Sequence, residues 1–381
     1  MKITKLTKFL ERHDEHPATK DSYKISLNQF FKWKQTNADK YIVDIRKLSP
    51  KKKQEAIDRY KQDIEDYWKH LTQKYKPKYT RSVKLNAIRQ LLIEYEIELP
   101  IVFWKRLKSS KEKGQRAATQ DRIPTRHELR KIILEGKPIA RTMFLLASCT
   151  GCRIGELTQL KLTDIPNLNN NPIWIMLPGE ITKTGDPRTV FVSDETAVYL
   201  RKWVNEDREE YLKNIKHRMN QMSTHEKYKH FSKKHQTDDG RLFPISRQTA
   251  ESYWQLMLKR ANLDQRDTTT NMRVLHCHVL RKWFRTMMGK PMGIDACETV
   301  LGHSGYLTNE YRKIPEDELA RIYYANQEYI TVIQEPKSLE KLDSDLTGLK
   351  NDFQKIMNKW LITKDENETL RKENEELKKK R

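Results

Sequence analysis

Apolar residues in this chain recur mostly at intervals of three and four, and that spacing limits its folds more than any other feature. From Thr19 the series Tyr23, Leu27, Phe30 and Phe31 follows it, with Pro17 just upstream, where proline suits a first helical turn. A second series runs Ile57, Tyr60, Ile64, Tyr67, Trp68 and Leu71 and ends before Pro77. A third begins after Thr80, passes through Ala87, Ile88, Leu91, Leu92 and Tyr95, and stops at Pro100. These series predict a helical domain over residues 1–104. Thr125 and Glu128 form a capping-box pair before the apolar run of HELRKIIL, so a second domain opens at Pro124. A helix through MFLLASC breaks at Thr150-Gly151 and restarts at Arg153. Strand-like pattern appears in IWIML and RTVFV, which flank a turn at KTGDP and predict a small antiparallel sheet. The predicted class is α+β, mainly α.

Between the domains, residues 105–123 read as a basic linker. Its cations Lys105, Arg106, Lys108, Lys111, Lys113, Arg116 and Arg122 would lie naturally along phosphates, although a plain tether fits as well. The second domain is expected to span 124–335, with a polar, basic, helical insertion over about 205–240. Residues 336–381 form a tail. There Leu342, Leu346, Leu349, Phe353, Ile356, Trp360, Thr363, Asn367, Leu370, Asn374 and Leu377 alternate steps of four and three, the seam of a coiled coil. A single amphipathic helix lying on its own domain is the alternative.

Lysine and arginine number 74 against 52 acidic residues, a formal charge of +22, which favours a polyanionic partner. No apolar run approaches the roughly 20 residues that span a bilayer, so no membrane partner is expected. The start MKITKLTKFLERHDEH has no signal-peptide apolar core, and four cysteines in 381 residues do not make a disulfide framework. A cytoplasmic protein, inside the cell with its DNA, is the expectation.

Cutting a phosphodiester without a metal takes a nucleophile, cations for the growing charge on the non-bridging oxygens, and an acid for the leaving 5′-oxygen. Arginine suits the second task because its fork bonds two phosphate oxygens at once. Arg153, in SCTGCRIGELTQLKLTDI, stands where a helix restarts, a favourable place for phosphate. In HCHVLRKWFR, His278 and Arg281 are three apart and share a helix face. His303 and Tyr311 lie in LGHSGYLTNEYRK, and Lys183 falls at the tip of the predicted hairpin. Each fragment by itself is commonplace: a cap, a surface pair, a core tyrosine.

The order TGCRIGEL, ITKTGDPRTV, HCHVLRKWF and LGHSGYLTNEYRK resembles the tyrosine recombinase family of phage integrases and Xer-type resolvases. The resemblance implies a helical core-binding domain, followed by a mixed catalytic domain. It implies that Arg153 and Arg281 clamp the scissile phosphate and that Lys183 protonates the leaving 5′-hydroxyl. His278 would assist proton transfer, His303 would bond the phosphate or orient the nucleophile, and Tyr311 would attack to leave a 3′-phosphotyrosine. No cofactor or metal is implied, and Glu156 would support Arg153. The partners implied are double-stranded DNA carrying attachment sites and further copies of the chain, a tetramer on two sites. Tyr311 follows His303 by one residue fewer than is common in the family, whereas Tyr306 stands close behind that histidine, so Tyr311 is preferred. Lys282 occupies a position where many relatives carry histidine.

Three functions compete. An integrase of a mobile element leads, because the insertion and tail make the chain less compact than a chromosome resolvase of Xer type. A DNA-binding relative without catalysis is the third, set against the complete residue set; a type IB topoisomerase-like enzyme shares the chemistry. Cys149 and Cys152 could make a zinc site with His276 and His278, but that C-x-x-C lies inside the Thr-Gly-Arg motif, where small residues suffice.

Overall fold

The computed structural model describes residues 4–75, 78–109, 119–169, 171–221, 238–303 and 314–334, with short helical pieces at 353–357, 359–360 and 363–364. The chain divides into two compact units, Met1–Gln120 with Arg266–Met272, and Asp121–Gln265 with Arg273–Arg381.

The first unit is helical: α1 (Lys5–Glu11), α2 (Pro17–Lys34), α3 (Ala38–Tyr41), α4 (Pro50–Lys74), α5 (Lys78–Glu94) and α6 (Ile101–Ser109). Pro17 and Pro50 each occupy a first turn, where the missing N–H costs nothing. The predicted apolar series are the buried faces. Tyr60, Ile64, Tyr67 and Leu71 of α4 and Leu85, Ile88 and Leu92 of α5 meet Leu27 and Phe30 of α2 in one core. Phe30 sits edge-on to Tyr41 and Tyr67, with ring centroids 5.2 and 5.0 Å away. The Tyr60 hydroxyl donates to the Tyr41 carbonyl at 3.0 Å, so a buried polar group is satisfied.

One boundary differs from expectation. The chain does not become a linker at residue 105: α6 carries it to Ser109. Phe103, Trp104 and Leu107 are buried at helical spacing, and that apolar stripe continues the fold. Lys105 and Arg106 project from its exposed side, and Arg106 pairs with Glu65 at 2.8 Å.

In the second unit, α7 (Arg126–Leu134) starts with the predicted capping box: Thr125 Oγ1 accepts the Glu128 N–H, and Glu128 accepts the Thr125 N–H at 2.8 Å. Helix α8 (Pro138–Thr150) is buried from Ile139 onward except at Arg141, a helix covered nearly all round at the centre of the core. It packs against α10 (Asp194–Lys202), α13 (Val279–Met288) and the strand β2 (Arg188–Val192). That strand pairs antiparallel with β1 (Ile173–Leu177), in register Ile173↔Val192 to Leu177↔Arg188. Ile173, Ile175 and Leu177 point inward, as period-2 alternation requires. Near Val192 the sheet is covered on its other face too, by α15 (Glu316–Ala325), whose Tyr324 hydroxyl reaches the carbonyls of Ile173 and Val192.

Of the predicted insertion, a π turn (Trp203–Asp207) and α11 (Arg208–Gln221) are described, and Arg208 closes the segment by an ion pair to Asp238. Helix α12 (Arg247–Arg260) follows, then α13 and α14 (Ile294–Leu301). In the tail, Phe353, Ile356 and Trp360 are exposed; the other seam positions apart from Thr363 lie outside the described residues. No described helix is long and apolar enough to cross a membrane.

Candidate active site

Two helix ends and one guanidinium build the centre. Helix α8 ends at Gly151 with φ +67°, and α14 ends at Gly302 with φ +65°. Both are left-handed caps, which glycine adopts without steric cost. Each end leaves carbonyls without a helical partner. Arg281, on the first turn of α13, donates Nη1 to the Gly151 carbonyl at 2.8 Å and Nη2 to the Leu301 carbonyl at 2.6 Å. A cation is favoured there by the negative ends of two helix dipoles. The Thr-Gly and Leu-Gly steps of the sequence are thus the two sockets of one arginine. Burial, then the charge of Arg153, pushes the Arg281 guanidinium down to about 10, which leaves it charged at neutral pH.

Arg153 stands at the start of α9 (Ile154–Leu157), two residues past the Gly151 cap. Its N–H and its Nη1 both bond the Glu156 carboxylate at 2.8 Å, and its side chain keeps 26% of its exposure. Glu156 is buried. Burial pushes its carboxyl up, but the bonds from Arg188 and Arg153 overcome that and hold it below the ordinary carboxylate range. Arg188, the first residue of β2, was not among the residues singled out from sequence. It donates Nη2 to Glu156 at 2.7 Å and Nε to the Val300 carbonyl at 3.1 Å. The one sequence signal was a cation heading a strand that ends in the apolar run Val190, Phe191 and Val192.

His278 immediately precedes α13. Its ring keeps a solvent-facing edge, yet desolvation of the rest and the charges of His276, Arg281, Lys282 and Arg153 push its pKa below the ordinary value of 6.5. The ring lies parallel to that of His276, with centroids 6.3 Å apart. His276 and Lys282 both bond Asp121, the first residue of the unit, so Lys282 has an ion-pair partner. His303 follows the Gly302 cap and bonds Glu298 through Nδ1; Glu298 also takes Arg285. With Nδ1 so held, Nε2 is the ring nitrogen left for a further partner.

Arg153, Arg281 and Arg188 therefore surround the Glu156–Gly151 corner, with His278 within electrostatic reach and His303 on the adjoining turn. Lys183 stands on the exposed connection between β1 and β2, and no described group of the corner bonds it. Tyr311 and Tyr306 lie outside the described residues, as do Lys111, Lys113, Arg116 and the Lys108 side chain. Arg122 pairs with Glu128 at 2.7 Å, inside the capping box of α7. Cys149 and Cys152 are buried thiols, and burial pushes Cys152 up to about 11. Among the described residues no three His, Cys, Asp or Glu side chains gather as a metal set.

Chemically, Arg281 spends two of its five N–H donors on the helix ends among the described residues, and Arg153 spends one on Glu156. The remaining forks suit an oxyanion with several oxygens, above all a phosphate.

No curated protein sequence matches the chain. Among solved structures, the XerA recombinase is similar at 18% identity, covering 84% of this chain and 96% of that one, with a TM-score of 0.35. The lambda integrase dimer bound to a COC′ core site is similar at 18% identity, over 71% of this chain and 93% of that one, with a TM-score of 0.43. The Tn1549 transposon integrase in complex with transposon right end DNA shows 15% identity over 68% and 83%, with a TM-score of 0.42. The model of the phage integrase family matches residues 125–316, just over half of the chain and the whole of the corner described above. On that match the chain belongs to the phage integrase family, enzymes that cleave DNA strands and transfer them.

Proposed function

We propose that this protein is a site-specific recombinase that integrates or excises a mobile element through a 3′-phosphotyrosine on Tyr311. The phenol oxygen attacks the scissile phosphorus, a new bond to the 3′-phosphate forms, and the bond to the 5′-oxygen breaks. Lys183 delivers the proton that the leaving 5′-oxygen needs, His278 assists that transfer, and His303 bonds the phosphate. Attack by a 5′-hydroxyl on the phosphotyrosine reverses the step on a new strand, so bond energy is conserved and no nucleotide is consumed. Arg153 and Arg281 hold the non-bridging oxygens throughout. The observation that carries the reading is their convergence: two guanidiniums from segments far apart in sequence share the corner closed by Gly151.

The cations Lys105, Arg106, Lys108, Lys111, Lys113, Arg116 and Arg122 are proposed to follow the DNA backbone, Arg122 while still paired to Glu128. Assembly as a tetramer on two attachment sites, aided by the tail, completes the reading. A suicide duplex with a nick beside the scissile bond, incubated in EDTA, tests it. The expected result is a covalent protein–DNA adduct that disappears in Tyr311→Phe. An adduct that survives there but vanishes in Tyr306→Phe moves the nucleophile. Absence of any adduct on every cognate duplex rejects catalysis and leaves a DNA-binding protein.

A further inference from the structure

Glu156 is the most heavily used carboxylate of the active corner, and the geometry points to Arg188 as the residue that keeps it from capturing Arg153. Glu156 is 2% exposed and cannot discharge its negative charge into water. Its Oε1 takes Arg153 Nη1, and its Oε2 is shared by the Arg153 N–H and by Arg188 Nη2. Arg188 thus supplies a second full positive charge to this carboxylate. The Arg153 guanidinium, in consequence, holds Glu156 by one nitrogen rather than by a two-pronged fork, which preserves its outer donors for phosphate.

The placement of Arg188 is over-determined. Its Nε is tied to the Val300 carbonyl at 3.1 Å, on the turn that leads to His303. Its side chain lies against Gly302 so closely that a Cβ there would come within 2.7 Å of Cδ. Its backbone pairs with Leu177 at the mouth of the hairpin whose connection carries Lys183. One side chain therefore joins the Arg153 cap, the His303 turn and the Lys183 hairpin. Its Nη2 is committed to Glu156 and its Nε to the Val300 carbonyl, so it acts through Arg153 and the His303 turn and is a positioning residue, not a catalytic one.

The inference rests on the recombinase reading above. Its test is single-turnover cleavage of the nicked suicide duplex by the full chain, with duplex binding measured beside it by gel shift. Arg188→Gln keeps an N–H donor but removes the charge. Cleavage is expected to slow on the order of 10- to 100-fold, as misplacement of a clamp by about 1 Å does, while duplex binding is retained. Arg188→Lys restores the charge, and the double variant Glu156→Gln with Arg188→Gln removes the need for it; both are expected to recover most of the lost rate. The double variant leaves no lone buried carboxylate, so it reports even if the single variant does not fold. Wild-type speed in Arg188→Gln overturns the inference, and so does a folded double variant as slow as, or slower than, Arg188→Gln. If wild type itself forms no Tyr311-dependent adduct, the recombinase reading fails first and takes the positioning role with it.

Discussion

At the residue scale the site is organised by charge bookkeeping around groups that cannot reach water. His278 shows the consequence for pH. Its native pKa lies below 6.5, first through desolvation and then through the cations His276, Arg281, Lys282 and Arg153. The native protein therefore resists protonation of this ring. Stability that depends on the neutral ring is complete above pH 6.5 and is lost as pH falls from 6.5 through the native value. An NMR titration of the full chain, with His278 assigned through His278→Gln, should give a midpoint below 6.5. A midpoint at or above it would contradict the crowding of cations. Arg281 makes a second point. Lysine has the charge but gathers it on one nitrogen, without the planar fork whose two Nη atoms reach the Gly151 and Leu301 carbonyls and leave further donors for a phosphate. Arg281→Lys should lower single-turnover cleavage by roughly 100-fold or more, a loss read from the rate of adduct formation.

At the scale of elements, glycine caps set the geometry. A Cβ at Gly151 would come within 2.6 Å of Leu301 Cδ2 and 2.9 Å of Phe284, and the +67° φ is itself unfavourable for alanine. Gly151→Ala should cost at least about 2 kcal/mol, from left-handed strain together with overpacking. Gly155, in α9 with nothing within 4 Å of its Cβ position, is the control. Its change to alanine should be neutral or stabilise by about 0.5–1 kcal/mol. Equal melting points for the two variants would refute the assignment of Gly151 as a packed cap. The hairpin, the capping box of Thr125 and Glu128, and the helices of the first unit were legible in sequence because each depends on neighbours within a few positions. The extension of α6 past residue 104 was not: its lysines and arginines dominate the local composition, while the stripe of Phe103, Trp104 and Leu107 that decides the matter is three residues long.

For the whole molecule, a formal charge of +22 and a tail with apolar residues at steps of four and three bear on assembly. Phe353, Ile356 and Trp360 fall at positions of the seam expected from sequence and are exposed in the single chain. Large apolar side chains in a row at coiled-coil spacing gain most by packing on a second copy. Deleting residues 339–381 should weaken pairing of two DNA sites while cleavage of one nicked site proceeds as before. Sedimentation of the protein on paired attachment sites, set beside adduct yield, reads both effects. Undiminished pairing would remove the tail from assembly.

The element types, the mainly helical class and the hairpin were determined by sequence, because periodicity, caps and turn residues act over a few positions; Arg153, Lys183, His278, Arg281, His303 and Tyr311 were singled out instead by the order of four motifs that resembles the family. Only the tertiary structure decided that Arg281 fastens two helix ends, that Glu156 divides itself between Arg153 and Arg188, and that Lys282 answers Asp121. Contacts of that kind join segments with no shared spacing, and they form where burial leaves a charge or a carbonyl no partner except the one folding brings near.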